Sequence, residues 1–207
     1  MFKTMTAALL ALLLVACGGG SDPEPEQVSQ LRTLQLFGDS TQVQAAPVIE
    51  GYLPGRMLMN AKSGATSAWL IAGTDGVNPP WPQSVKGDVI MINFGINDSA
   101  DLTTGSTKGI SIDTYKANLR TFAKVPGAVV VFETPNPTYW PGRHTEDYAQ
   151  AMREVAAELG VPLIDVHAFV MAMPDWQAQI PDKLHPSPEL MRKIVADCVM
   201  PELRKLL

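Results

Sequence analysis

Cysteine is nearly absent from this sequence, with only Cys17 and Cys198 among 207 residues. Two cysteines supply no disulfide framework of the kind that stabilises small secreted domains. Histidine is also scarce, and its three residues show neither a His-x-x-x-His spacing nor a neighbouring cysteine pair, which are common patterns of zinc ligands. The sequence therefore predicts no metal site and no metal cofactor.

Positive charge is in the minority, with 16 Lys and Arg residues against 21 Asp and Glu residues and a net charge of −5. A chain of this charge has no overall electrostatic attraction to phosphate backbones or anionic lipids. We therefore expect no nucleic-acid partner. The hydrophobic fraction of 46% is typical of a globular protein, and the length fits one ordinary domain.

The N-terminal apolar run covers residues 7–15, which is shorter than the roughly 20 residues that span a bilayer. It matches the core of a secretory signal peptide. The run ends in Leu14-Val15-Ala16-Cys17, which resembles the lipobox of bacterial lipoproteins, where the cysteine becomes the lipidated first residue. We predict a lipoprotein signal peptide over residues 1–16 and a lipid anchor on Cys17. An ordinary secretory signal with a chance cysteine is the alternative.

Residues after the cysteine are rich in Gly, Ser, Pro and acidic side chains, a composition that stays solvated because it has little to bury. We predict a flexible tether over residues 17–30 and a folded domain over residues 31–207. The predicted location is the cell envelope, with membrane contact through the anchor. An aspartate directly after the cysteine would resemble an inner-membrane retention signal. Gly18 occupies this position instead, which favours the outer membrane in a cell that has one. The oligomeric state stays open.

Short apolar runs alternate with longer amphipathic segments from residue 31 onward. The runs, typical of strands buried on both faces of a parallel sheet, cover residues 34–37, 89–94, 128–132 and 161–166, with a less clear strand over 57–60. Apolar residues recur at helical spacing over residues 115–124, 145–159 and 188–206. This alternation predicts a three-layer α/β/α sandwich with a mainly parallel central sheet.

A serine, Ser40, follows the first predicted strand within Phe37-Gly38-Asp39-Ser40. Gly-Asp-Ser is also a common turn, so the serine becomes a candidate nucleophile only with a base. His185 is the best placed base, because Asp182 lies three residues earlier in the same loop. That spacing lets a carboxylate contact Nδ1 and hold the tautomer that leaves Nε2 free.

The other two histidines have simpler interpretations. His167 follows a strand pattern and is interpreted as a structural residue at a strand end, and His144 opens a helix and is expected to cap it or to face solvent.

A serine that attacks a carbonyl also needs hydrogen-bond donors for the negative charge that develops on the oxygen. Asn97 follows the run that ends near Phe94, at the edge of the sheet where Ser40 is expected. Gly64 lies in a loop where the absence of a side chain lets the backbone approach a site closely. Each also has an ordinary interpretation, as a turn or helix cap for Asn97 and a tight loop for Gly64.

These segments together resemble the four sequence blocks of the SGNH hydrolases, also called the GDSL esterase/lipase family. In order, they are Gly38-Asp39-Ser40, Gly64, Gly95-x-Asn97-Asp98 and Asp182-x-x-His185, and the resemblance spans residues 36–186. Thr41 stands where the family motif has leucine. The resemblance implies an α/β/α sandwich of the flavodoxin-like kind.

The same resemblance implies the role of each site residue. Ser40 is the nucleophile, His185 the general base and acid, and Asp182 its orienting partner. Backbone N–H groups of Ser40 and Gly64 and the side chain of Asn97 form the oxyanion hole. The implied reaction is ester hydrolysis through an acyl-enzyme, without metal or cofactor.

Substrate choice is less defined. The predicted position in the cell envelope favours short-chain or carbohydrate O-acetyl esters as the substrates. The alternatives are a lysophospholipase or thioesterase acting on longer acyl chains, acyl transfer to a sugar, and a non-catalytic envelope-binding lipoprotein of the same fold. Trp81, Tyr139 and Trp140 lie in Pro-rich loops, where they either contact substrate or anchor the loops.

Overall fold

The computed structural model describes residues 31–101 and 108–207. The predicted signal peptide, the tether and Cys17 lie outside the described residues. Within that part of the chain, every helix is too short or too polar to cross a membrane.

A central sheet of parallel strands organises the described residues. The strands are β1 (Leu34–Gly38), β2 (Met57–Met59), β3 (Val89–Asn93), β4 (Val129–Glu133) and β5 (Leu163–Ile164), in the order β2-β1-β3-β4-β5. The helices are α1 (Ser40–Tyr52), α2 (Ser67–Ala72), α3 (Ile112–Phe122), α4 (Thr145–Leu159), α5 (Val166–Met171), α6 (Pro188–Ile194) and α7 (Met200–Leu203). A π-helical stretch, Val195–Val199, joins α6 to α7, and a 3-10 turn covers Trp176–Gln179.

Two hydrophobic clusters cover the two faces of this sheet, because successive strand residues point to opposite sides. Leu34 and Leu36 of β1 pack with α1, α5, α6 and α7. Phe37 of β1 and Ile90 and Ile92 of β3 pack with α2, α3 and α4. The predicted three-layer α/β/α sandwich is therefore confirmed.

The strand order reverses between β1 and β3, since α1 lies on one face of the sheet and α2 on the other. Ligands of such sheets bind beyond the carboxyl ends of the strands at this switch point. Gly38 and Asn93 are partners at the ends of β1 and β3. A Cβ on Gly38 would lie 2.5 Å from the Asn93 carbonyl oxygen, so the glycine lets the two strand ends approach.

The predicted elements differ from the observed ones at several points. Helix α1 is missing from the sequence prediction because Pro47 in its interior removes a backbone donor. The predicted strand over 161–166 shortens to β5, since the Asp165 side chain accepts the Ala168 N–H and begins α5. The C-terminal helical segment ends at Leu203 and includes the π-helical stretch.

Candidate active site

Ser40 is the first residue of α1, directly after β1. The Asp39 side chain caps this helix by accepting the Thr41 N–H at 3.0 Å. Backbone N–H groups in the first turn of a helix have no partner within the helix. The Ser40 N–H is one of these groups, so it is available at the carboxyl end of the sheet beside its own half-buried hydroxyl.

The Asp182 carboxylate organises the loop that precedes α6. Its Oδ1 accepts the Leu184 N–H at 2.9 Å and the His185 N–H at 2.6 Å, and its Oδ2 lies 2.7 Å from His185 Nδ1. Partial burial opposes ionisation, but the hydrogen bonds from His185 and Leu184 prevail and lower the pKa of Asp182 to about 2. Asp182 is therefore ionised over the whole neutral range and fixes the orientation of the imidazole.

The other ring nitrogen of this histidine meets the serine. His185 Nε2 lies 2.8 Å from Ser40 Oγ, across 145 residues of sequence. The Gln44 side chain on α1 donates to the Pro186 carbonyl at 2.7 Å, which ties the loop to the helix that carries the serine. A hydroxyl, an imidazole and a carboxylate thus form one continuous chain of contacts that joins the three residues singled out in the sequence.

Gly64 lies in a loop held against the end of β1, where the Lys62 N–H donates to the Gly38 carbonyl at 3.0 Å. Its φ of +80° is in the left-handed region, which glycine adopts without steric cost. Asn97 follows β3 and is buried, and its Nδ2 donates to the Ala65 carbonyl at 3.0 Å. An amide nitrogen carries two hydrogens, so this bond orients the Asn97 amide and leaves a second N–H available.

Three buried carboxyl groups lie beneath this site. Burial raises the pKa of Asp39 to about 6, of Asp98 to about 7 and of Glu133 to about 8, against hydrogen bonds that lower each of them. The Ser67 N–H and hydroxyl donate to Asp98 Oδ1 at 2.9 and 2.5 Å, and Gln42 Nε2 donates to Glu133 at 3.1 Å. These contacts connect α1, α2 and the strand ends.

Two basic residues at the site were not predicted from the sequence. Lys108 Nζ donates to the Gly64 carbonyl at 3.1 Å and lies 5.4 Å from the centre of the Trp69 ring. Arg143 donates to the Ile96 carbonyl at 2.6 Å, next to Asn97. Neither residue stands in a recognisable motif, so only the fold brings them to the loops that carry Gly64 and Asn97.

The loop aromatics have different environments. Trp81 is buried and makes edge contacts with Phe37 and Phe122 at centroid distances of 5.4 and 5.0 Å, so it anchors its loop in the core. The single hydroxyl hydrogen of Tyr139 is shared between two backbone carbonyls of the segment before the Asp182 loop, those of Gln177 and Ile180. Trp140, in contrast, is 48% exposed.

The remaining two histidines have other surroundings. His167 is buried in the first turn of α5, not at a strand end, because β5 stops at Ile164. Its Nδ1 lies 3.2 Å from Glu146, and burial lowers the pKa of its imidazole. His144 is exposed at the start of α4 and makes no side-chain cap. In the described ranges, no group of three or more His, Cys, Asp or Glu residues is arranged to hold a metal ion.

The described residues form a parallel α/β/α sandwich, and Ser40, His185 and Asp182 are in contact at its switch point. This combination is typical of hydrolases that are built on an α/β fold. The model of the GDSL-like lipase/acylhydrolase family matches residues 32–193, and the protein belongs to that family. The family predicted from the four sequence blocks is thus confirmed.

A human protein named isoamyl acetate-hydrolyzing esterase 1 homolog is 25% identical over 154 residues. The match covers 58% of this chain and 62% of that relative, so the chain spans less than two thirds of the relative's length.

Two solved structures show the same fold. A lipase/acylhydrolase from Enterococcus faecalis superposes with a TM-score of 0.59 at 19% identity, over 81% of this chain and 97% of that one. The C-terminal catalytic domain of peptidoglycan O-acetyltransferase A from Streptococcus pneumoniae gives a TM-score of 0.59 at 18% identity, over 84% and 93% of the two chains. At these identities the likeness concerns the fold alone.

Proposed function

We propose that this protein is a serine esterase that hydrolyses carboxylic esters through an acyl-enzyme on Ser40. The supporting observation is the chain of contacts from Ser40 Oγ through both ring nitrogens of His185 to Asp182, with distances of 2.8 and 2.7 Å. Such a chain supplies a nucleophile, a base and an orienting group.

In the first half of the reaction, Ser40 Oγ attacks the ester carbonyl carbon and its proton passes to His185 Nε2. The Ser40 N–H, the Gly64 N–H and the second Nδ2 hydrogen of Asn97 donate to the oxyanion, which is where fixed donors contribute most to catalysis. Asp182 stabilises the imidazolium. When the tetrahedral intermediate collapses, the leaving alcohol oxygen takes the proton from His185 and an acyl-enzyme remains.

In the second half, water attacks the acyl carbon and gives a proton to His185 Nε2. The bond between the acyl carbon and Ser40 Oγ then breaks, and the serine oxygen recovers the proton. The products are a carboxylic acid and the free enzyme, so protein side chains account for every proton transfer without a cofactor.

The substrates that we propose are short-chain esters, including O-acetyl esters of carbohydrates. The name of the human relative specifies an acetate ester, which supports a small acyl group. Hydrolysis of a series of 4-nitrophenyl esters from acetyl to dodecanoyl tests this choice. Activity that rose steadily with acyl length would favour a lysophospholipase or thioesterase instead.

The Ser40→Ala variant tests the central role of the serine. It should lower turnover of 4-nitrophenyl acetate by roughly 10³-fold or more, since it removes the nucleophile. Its thermal unfolding midpoint, measured in parallel, should stay close to that of the wild type. Full turnover by the variant would remove Ser40 from the reaction.

The proposed setting is the cell envelope, with the enzyme held on a membrane by a lipid on Cys17. The Cys17→Ser variant should move the protein from the membrane fraction to the soluble fraction. An unchanged distribution would contradict the anchor without bearing on catalysis.

A further inference from the structure

The three proposed oxyanion donors differ in what holds them in place. The Ser40 N–H belongs to the first turn of α1, and the Asn97 amide is held by its bond to the Ala65 carbonyl at 3.0 Å. Gly64 lies instead in a turn between β2 and α2 and has no side chain of its own. The direction of its N–H depends on two rotatable backbone bonds, which glycine restricts least of all residues. This donor therefore needs support from another part of the molecule.

Lys108 supplies such a support from the segment before α3. Its Nζ donates to the Gly64 carbonyl at 3.1 Å. A Cβ placed on Gly64 would lie 2.7 Å from the same Nζ, so the ammonium fills the space that a side chain at this position would occupy. A hydrogen bond from a charged group is stronger than one between neutral groups. The ammonium thus holds Gly64 at its carbonyl and packs against its α-carbon, to which the donor nitrogen is bonded.

The peptide group that follows Gly64 is fixed at both of its polar atoms. Its oxygen accepts the bond from Lys108, and its N–H, which belongs to Ala65, donates to the Lys62 carbonyl at 3.0 Å. The Lys62 N–H in turn donates to the Gly38 carbonyl at 3.0 Å, at the end of β1. Lys108 thus completes a network that ties the Gly64 turn to the strand leading to the proposed nucleophile.

The ammonium of Lys108 is itself held by an aromatic ring. It lies 5.4 Å from the centre of the Trp69 ring, which is within the range of a cation–π interaction. Trp69 belongs to α2, whose first residue, Ser67, donates its N–H and hydroxyl to Asp98. Asp98 directly follows Asn97 in the sequence. The position of the ammonium is therefore set by a helix that is anchored beside the other proposed donor, although a lysine side chain is flexible by itself.

We propose that Lys108 is a positioning residue of the oxyanion hole, whose ammonium holds the Gly64 backbone in the orientation that directs the Gly64 N–H at the oxyanion. Lys108 acts through Gly64 and not on the substrate itself. The inference rests on the proposed esterase function and adds to it a residue outside the sequence blocks of the family. An oxyanion forms in both half-reactions but not in the bound ester, so loss of the lysine should slow turnover and leave substrate binding unchanged.

The Lys108→Met variant of the full-length protein keeps a long side chain and removes the ammonium. We expect kcat for 4-nitrophenyl acetate to fall by about tenfold, with KM within about twofold of the wild type, since the Gly64 N–H is misdirected but not removed. Lys108→Arg keeps a charged donor and should bring kcat back to within about threefold of the wild type. An unchanged kcat in Lys108→Met, or a loss that appears in KM instead, would overturn the proposal.

Lys62→Met is the matched control for the loss of charge. Lys62 lies in the same loop as Gly64, but its side chain is exposed, and it is its backbone that bonds to Gly38 and Ala65. The variant removes an equal charge from the same loop and should change kcat by less than about twofold. An equal fall in kcat for Lys62→Met and Lys108→Met would show a general effect of charge and overturn the positioning role.

Nuclear magnetic resonance relaxation of selectively labelled glycine amides separates this inference from the proposed function. The Gly64 amide should be as rigid as that of Gly38 in the wild type and in Lys62→Met, and more mobile in Lys108→Met. If the wild type hydrolyses no ester while this dependence is present, the positioning of Gly64 stands and the esterase fails. If esters are cleaved but neither kcat nor the Gly64 amide depends on Lys108, the inference fails and the esterase stands.

The relaxation of the wild type also tests the proposal without any variant. A Gly64 amide that is mobile in the wild type would overturn the positioning role of Lys108, even if Lys108→Met did not fold.

Discussion

The two halves of the candidate site are built differently. The oxyanion half, which contains the proposed oxyanion donors, lies at the buried carboxyl ends of β1 and β3, where Asn97 is almost inaccessible. The base half lies on a surface loop, where the side chains of Asp182 and His185 are 52% and 33% exposed. Among the described residues, the hydrogen bonds of the Asp182 carboxylate all fall within residues 182–185.

The two halves therefore differ in how much their residues also stabilise the fold. The buried Asn97 side chain also contributes to the packing of the molecule, since its amide holds the loop after Gly64 through the Ala65 carbonyl. The imidazole is held by a local turn and contributes little to the hydrophobic core. Substitutions in the two halves should therefore separate catalysis from stability.

Replacement of His185 should have the largest effect on turnover and a small effect on stability. The His185→Ala variant removes the only base beside Ser40 Oγ in the described residues, and kcat should fall by roughly 10⁴-fold or more. Its unfolding midpoint in urea should stay near that of the wild type, because the ring is partly exposed. Steady-state kinetics and urea denaturation together provide the check. A large drop in stability would contradict the local character of this half.

Replacement of Asn97 should reduce both turnover and stability. The Asn97→Ala variant loses the oxyanion donor that we propose at this position, so kcat should fall by roughly 10²- to 10³-fold. The same change leaves the Ala65 carbonyl without its donor in a buried setting, which should lower the free energy of unfolding by about 1–3 kcal/mol. Both variants should be measured side by side. An unchanged kcat for Asn97→Ala would show that Asn97 is not an oxyanion donor. An unchanged stability would show that it is not part of the packing.

The buried carboxyl groups give the oxyanion half a pH dependence of stability. Burial raises the pKa of Glu133 to about 8, so the folded protein keeps this proton at pH values where the unfolded chain has lost it. The folded state is then favoured most below about pH 4.5, and this stabilisation is lost as the pH rises through about 8. Asp39 and Asp98, with pKa values of about 6 and 7, act in the same direction. Asp182 acts oppositely, but only as the pH falls from about 4 towards 2.

The Glu133→Gln variant tests this dependence with the smallest expected effect on turnover. Glutamine keeps an oxygen that accepts the Gln42 amide but cannot ionise, so part of the stability lost between pH 5 and pH 9, on the order of 2 kcal/mol, should be recovered. Glu154→Gln is the matched control: its side chain is exposed, and the hydrogen bond from Lys116 lowers its pKa, so it is ionised across this range. Urea denaturation at several pH values should show a flatter profile for Glu133→Gln only. Identical profiles for both variants would remove Glu133 as the source.

The sequence predicts the two halves unequally well. Asp182 and His185 are three residues apart, so their contact is encoded in a short segment and can be read directly. The contacts of Ser40 with His185 and of Asn97 with Ala65 join distant segments, and their prediction depends on the parallel sheet and on the family resemblance. Four of the strands follow from continuous apolar runs, and β4 and β3 lie within one residue of their predicted starts.

Other features depend on three-dimensional packing and leave no local signal. The Lys108 contact with the Gly64 carbonyl joins segments 44 residues apart, and no motif surrounds the lysine. Trp81 and Trp140 both stand in Pro-rich loops, yet one is buried among aromatic rings and the other is exposed. Composition alone does not distinguish these two outcomes, because the loop path determines which ring meets the core.

The most direct measurement is the site of covalent labelling by a fluorophosphonate, located by peptide mass spectrometry in the wild-type protein. We expect a single adduct on Ser40, formed much more slowly in His185→Ala, because the imidazole 2.8 Å from the hydroxyl activates it. An unlabelled Ser40, or an adduct on another residue, would contradict the assignment of this serine as the nucleophile.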